Sequence, residues 1–194
     1  MIKSTLFDFY QFIKKPNDVQ FDLDFRNKLR FTLILFVFEF IITFIIILPI
    51  LVMINDVLDL TRAVDTNKLS ILQKFFFLVI IMPFIEELIF RYFLRYEGTK
   101  TDFISHHQWN KIFPFLVYSF GLCFGFIHLT NFSNTNNWFY ILSPLVVIFQ
   151  LVGGFIITYI RVRISFLWGV YYHWAMNFFF IVAIPTVESF FDKA

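Results

Sequence analysis

Apolar residues occur along this chain in five long blocks, 31–54, 75–94, 113–130, 138–160 and 164–185. Each is close to the roughly 20 residues that a helix needs to cross a hydrocarbon core. The pattern predicts an all-α polytopic membrane protein, a bundle of about five transmembrane helices. Ahead of the first block lies a mostly polar segment, 1–30. Within it Ile2, Leu6, Phe9 or Tyr10, and Ile13 recur at helical spacing, Ser4 is placed to cap a helix and Pro16 to stop one. Residues 1–15 therefore read either as an interfacial helix or as an unstructured tail. The first block is not read as a cleaved signal peptide, because a long polar segment precedes it and no small-x-small site follows. The chain divides into a cytoplasmic or interfacial segment (1–30), an additional transmembrane helix (31–54), a core (71–185) and a short tail (186–194). The connecting loops leave no room for a soluble domain, so any chemistry belongs within or at the edge of the membrane.

Composition agrees with the pattern. Hydrophobic residues make up 59% and charged residues 15% of 194, with mean hydropathy +0.73, far from the about 25% charged residues of soluble domains. The net charge of +2 does not point to nucleic acid. The single cysteine, Cys123, cannot form an intramolecular disulfide.

Lysine and arginine are unevenly distributed. Six lie in 1–30, four between Arg91 and Lys111, and two after the fourth block (Arg161, Arg163), against Arg62, Lys68, Lys74 and Lys193 on the other side. By the positive-inside rule this multi-pass protein has its N-terminus in the cytoplasm and its C-terminus outside.

Charges inside apolar blocks are costly, about 2.5–3.5 kcal/mol each on insertion scales, and so point to function. The second block contains "IEELIFR", with Glu86, Glu87 and Arg91. Glu87 and Arg91 stand four residues apart and share a helix face. Glu86 is turned by about 100°, and its partner must come from another span. The third block supplies His128, four residues after Phe124, and the fifth supplies His173 and Asn177, again four apart. One glutamate and two histidines from three helices, beside an amide, make a site suited to binding or activating a water. Taken singly, each is also compatible with a plain interhelical hydrogen bond. Glu39 reads as a packing or lipid-interface residue, Gln150 with Gly153 and Gly154 as a mark of close helix packing, and Asn131 as a further donor near the end of the third span. His106 and His107, in a loop with Asp102, read as solvated.

In this order and placement, Glu86-Glu87-x-x-x-Arg91, Phe124-x-x-x-His128 and His173-x-x-x-Asn177 resemble the motifs of the CPBP (ABI) intramembrane proteases, the family related to the CAAX prenyl endopeptidase. The resemblance covers about residues 71–185 and implies a four-helix CPBP-type core. Compared with the eukaryotic enzyme the chain is short, so that enzyme's substrate-docking parts are not implied. The resemblance implies a membrane-embedded, glutamate-dependent endopeptidase acting on a peptide or membrane-protein substrate. Glu86 and His128 would activate water, His173 and Asn177 would donate hydrogen bonds to the oxyanion, and Glu87 and Arg91, with Phe124, would support them. The family has been described both as metalloproteases and as metal-independent glutamic proteases. No cofactor is expected, and a zinc ion on Glu86, His128 and His173 stays open. A second reading is a non-catalytic scaffold of the same fold that binds and regulates a membrane-protein partner. A third, an ion or proton transporter, is disfavoured by the absence of inverted repeats.

Overall fold

The computed structural model describes residues 2–96 and 104–185. Eight helices make up most of the described residues, which contain no strand: α1 (Ile2–Lys14), α2 (Phe25–Leu58), α3 (71–90), α4 (His106–Ile127), α5 (Asn137–Ile141), α6 (Ser143–Val146), α7 (Ile148–Arg163) and α8 (Phe166–Ala183). Asp102 and the tail 186–194 lie outside the described residues.

The first segment folds as a helix. Its Phe12 is fully buried beneath α2 and α7. The helix ends at Lys14, two residues before Pro16. Three helices, α2, α4 and α8, are long and apolar enough to cross a bilayer. The other two expected spans differ in physical character. α3 carries Lys74, Glu86 and Glu87 in an otherwise apolar helix. The fourth block is not one helix: it breaks at Leu142 and Val147, whose ψ angles of 4° and 21° leave the helical range. Pro144 lies between the breaks; it has no amide hydrogen and clashes with the preceding turn. The remaining α7 has 16 residues, about 24 Å at 1.5 Å per residue.

Three of the helices widen locally to π geometry, α2 over Thr43–Ile47, α3 over Lys74–Ile81 and α8 over Phe178–Ala183. Each widened stretch ends two residues before a proline, Pro49, Pro83 and Pro185. Proline removes one bond of the i to i−4 ladder, and the π register takes up the disturbance; Met82 N–H, for example, bonds to the Phe77 carbonyl.

α7 is the axis of the bundle, buried on all sides from Ile156 to Arg163 and packed against α4, α8, α1 and α2. Its two terminal arginines are satisfied rather than solvated. Arg163 Nε donates to Asp8 Oδ2 at 2.7 Å, and its Nη1 donates to the carbonyls of Asn17 and Val19. Arg161 donates to the carbonyls of Arg91 and Tyr92 at 3.0 and 2.8 Å. Asp18 accepts from Trp109 Nε1 at 2.8 Å and faces Arg95 at 3.6 Å. These bonds close the end of the bundle that carries α1.

The opposite end is built from loops. Residues 59–64 are held against 131–134 by Ala63 N–H to Asn131 O, Ser133 N–H to Thr61 O, and Thr61 N–H to Asn134 Oδ1, each 2.8–2.9 Å. Beneath them a cavity of about 800 Å³ runs into the bundle.

Candidate active site

The cavity leads to the charged residues of α3. Helical geometry sends Glu86 and Glu87 in different directions, and the surroundings treat them differently. Glu87 is fully buried. Its Oε1 accepts from Arg91 Nη1 at 2.7 Å and from His173 Nδ1 at 2.8 Å. Glu86 lines the cavity with 22% of its side chain exposed. It faces His128 Nε2 at 4.0 Å through Oε1 and His173 Nε2 at 3.7 Å through Oε2. Both gaps exceed hydrogen-bond length and suit a bridging water. The structure thus brings Glu86, His128 and His173 together from α3, the end of α4, and α8.

Each imidazole is fixed by its other nitrogen. His128 Nδ1 lies 2.7 Å from the Phe124 carbonyl and His173 Nδ1 lies 2.8 Å from the Glu87 carboxylate. Both partners only accept, so both Nδ1 atoms carry hydrogen, and in the neutral rings both Nε2 atoms present a lone pair to the cavity. His128 reaches this position because α4 ends at Ile127 and His128 caps it, leading into a 3₁₀ turn, His128–Asn131. The span begins earlier than its apolar block, at His106, because Ser105 forms a capping box with Gln108.

Arg91 is buried to 1% exposure and fully engaged. Besides Glu87, it bonds to the Gly154 carbonyl at 3.3 Å and to Thr158 Oγ1 at 3.4 Å, and its guanidinium lies 3.9 Å from the centre of the Phe124 ring. The same ring packs against both histidines, with centroid separations of 4.9 and 5.9 Å. Gly154 is required here, since a Cβ would fall 2.6 Å from Phe124 and 3.3 Å from Arg91 Nη2. Asn177 lines the cavity and donates one amide hydrogen to the Leu78 carbonyl at 2.9 Å, leaving a second for a ligand.

Two sequence readings change. The Glu87–Arg91 pair reaches beyond its own helix to orient His173, a contact that i, i+4 spacing cannot reveal. Glu39 is neither at the lipid interface nor unpartnered: it is 2% exposed and accepts from Tyr172 Oη at 2.5 Å. The cavity continues to Leu60, Arg62, Thr66 and Asn131, at the end of the bundle opposite α1. His106 and His107 are exposed at the start of α4. Gly153 and Gly154 are buried contact points, as the packing reading has it.

Among the described residues, no three His, Cys, Asp or Glu side chains are gathered so as to hold a metal ion. Glu86, His128 and His173 do not form such a ligand set.

Neither the curated proteins nor the solved structures contain a match to this chain. Residues 68–179, more than half of the chain and every residue of the cluster just described, match the family model for type II CAAX prenyl endopeptidase Rce1-like proteins. The chain therefore belongs to the Rce1-like family of type II CAAX prenyl endopeptidases.

Proposed function

We propose that this chain is an intramembrane endopeptidase that hydrolyses a peptide bond with a water activated by Glu86 and His128. The observation that carries this reading is the convergence of two imidazole Nε2 atoms on the two oxygens of one carboxylate, at 3.7 and 4.0 Å, with each ring locked at Nδ1.

A water in the Glu86–His128 gap would give one hydrogen bond to Glu86 and the other to the His128 lone pair, leaving its oxygen directed at a substrate carbonyl. Attack forms the C–O bond while Glu86 takes the proton, general-base catalysis worth about 10²–10⁴-fold. The second amide hydrogen of Asn177 is the donor for the oxyanion, and His173, held at Nδ1 by Glu87, stands beside it at the same carbonyl. Collapse breaks the C–N bond, and Glu86 returns its proton to the departing amine. Glu87 positions His173 as the carboxylate of a triad positions its imidazole. The substrate enters from the face of residues 59–66 and 131–134, since hydrogen-bonded side chains close the α1 end. The test is replacement of Glu86 by Gln in the full chain: turnover of a prenylated CAAX peptide or membrane-anchored peptide should fall at least about 10²-fold with the protein still folded. Full activity would overturn the mechanism.

A further inference from the structure

A second polar group faces the cavity on the wall formed by α2 and α7, and the proposed chemistry makes no use of it. Glu39 and Thr43 are one turn apart on α2, and both line the cavity with Gln150 and Gly153 of α7. Glu39 and Thr43 are buried, 2% and 1% exposed. Glu39 Oε2 accepts from Tyr172, and among the described residues no group donates to its Oε1. Oε1 is aimed at Gly153, where an added Cβ would come within 2.8 Å of it. Thr43 Oγ1 and Gln150 Oε1 are buried with no hydrogen-bond partner among the described residues. Two of these oxygens, on Thr43 and Gln150, are thus buried without a partner, where an unpaired polar group costs about 1–3 kcal/mol, and Glu39 Oε1 beside them also lacks a donor among the described residues. A buried group left in that state calls for a ligand or water that completes it. A carboxylate inside an apolar bundle has a functional reading by default.

We infer that this wall is a cation subsite, in which Glu39, Thr43 and Gln150 receive the ammonium or guanidinium of a lysine or arginine side chain belonging to the substrate. An ammonium brings three donors and a full charge, matching three acceptors of which one is a carboxylate. The hydrocarbon stem of such a side chain suits the neighbouring Met176 and Phe180, which also line the cavity. A neutral side chain of equal length would leave all three oxygens unpaired, and sites built to hydrogen-bond a substrate group discriminate strongly against analogues lacking it. Cation binding does not require turnover; its use as a peptide subsite rests on the peptidase reading above.

The full chain, purified in detergent, is titrated with n-butylammonium, a mimic of the lysine side chain, and with n-butanol as its neutral counterpart, following thermal unfolding. A saturable rise in Tm is expected with the ammonium and none with the alcohol. Glu39→Gln should weaken the apparent affinity at least tenfold, while Glu86→Gln should retain it. Where Glu39→Gln does not fold, Gly153→Ala, which places a methyl against Oε1, and Thr43→Val should each weaken binding. No saturable effect, an effect kept by these wall variants, or one lost in Glu86→Gln instead would overturn the subsite. Paired peptides differing only by lysine against norleucine near the scissile bond should show a preference for lysine, expressed mainly in KM, that collapses in the Glu39 or Gly153 variant. Ammonium binding without cleavage of any peptide would count against the peptidase and leave the subsite standing.

Discussion

Exchanging each of the two adjacent glutamates for glutamine separates their roles. Glu87 is fully buried and its Oε1 holds both Arg91 at 2.7 Å and His173 at 2.8 Å. Removing one partner of a buried ion pair costs about 3–5 kcal/mol, because the other charge is left uncompensated. The amide introduced by Glu87→Gln keeps a carbonyl acceptor, and Arg91 keeps Gly154, Thr158 and the face of Phe124, which argues for the lower end, about 3 kcal/mol. For a chain of this size such a loss lowers Tm by about 6–12 °C. Glu86 has no hydrogen bond among the described residues and is 22% exposed, so Glu86→Gln should leave Tm within about 2 °C of wild type. Activity should behave differently. Glu86→Gln removes the base and costs at least about 10²-fold. Glu87→Gln also loses activity, even well below its melting temperature, because an amide can turn its NH₂ towards His173 and leave the ring in the wrong tautomer. The assay is melting in detergent beside cleavage of one fluorogenic peptide, on wild type and both variants. Full activity in a folded Glu86→Gln protein would refute the general-base role. Normal turnover by Glu87→Gln at low temperature would show that Glu87 supports the fold without positioning His173.

His128→Ala should lower turnover about 10²-fold or more with little loss of stability, since its only hydrogen bond among the described residues is to the Phe124 carbonyl; wild-type turnover would remove it from the water site. Metal chelation should leave activity unchanged, because no set of three ligands is gathered among the described residues; inactivation restored by added zinc would contradict that reading. Gly154→Ala should destabilise the protein by about 1–3 kcal/mol through overpacking against Phe124 and Arg91, read as a lowered Tm. In a Cys123→Ser background, a cysteine at Thr66 should react with an impermeant maleimide on intact cells, and one at Lys111 only after permeabilisation; the reverse pattern would invert the orientation and the side from which substrate enters.

The helices were legible because hydrocarbon length is written directly in the sequence, and the three motifs stood out because charge in such blocks is rare. Helix ends were less legible. His128 falls at the outer edge of its apolar block, yet α4 begins at a Ser105–Gln108 capping box and ends with His128 as its cap, so the polar cap, not hydropathy, sets the register. The break at Leu142 and Val147 hid for a related reason: Leu, Val and Pro144 all read as apolar, while the cost of the proline lies in its missing amide hydrogen. Contacts between helices were invisible. Spacing along α3 pairs Glu87 with Arg91, but nothing in one helix shows that the same oxygen also holds His173, 86 residues later.

Glu39 shows the same limit at its clearest. Its own helix offers no counter-charge, and it reads as a packing or lipid-interface residue because partners within one turn are all that a sequence displays. In the fold its partner is a hydroxyl, Tyr172, on α8, next in sequence to His173. The two carboxylates nearest His173 and its neighbour thus differ in kind. Glu87 is held at Oε1 by a guanidinium and an imidazole, while its Oε2 is buried away from the cavity lining and has no partner among the described residues. Glu39 is held by one hydroxyl, and its second oxygen is left open towards the cavity. That second oxygen seats against Gly153, where an added Cβ would come within 2.8 Å of it, so the glycine is what lets the carboxylate take this position. An unpaired carboxylate oxygen on the wall of the cavity that also holds Glu86 is the group that a cationic ligand would complete.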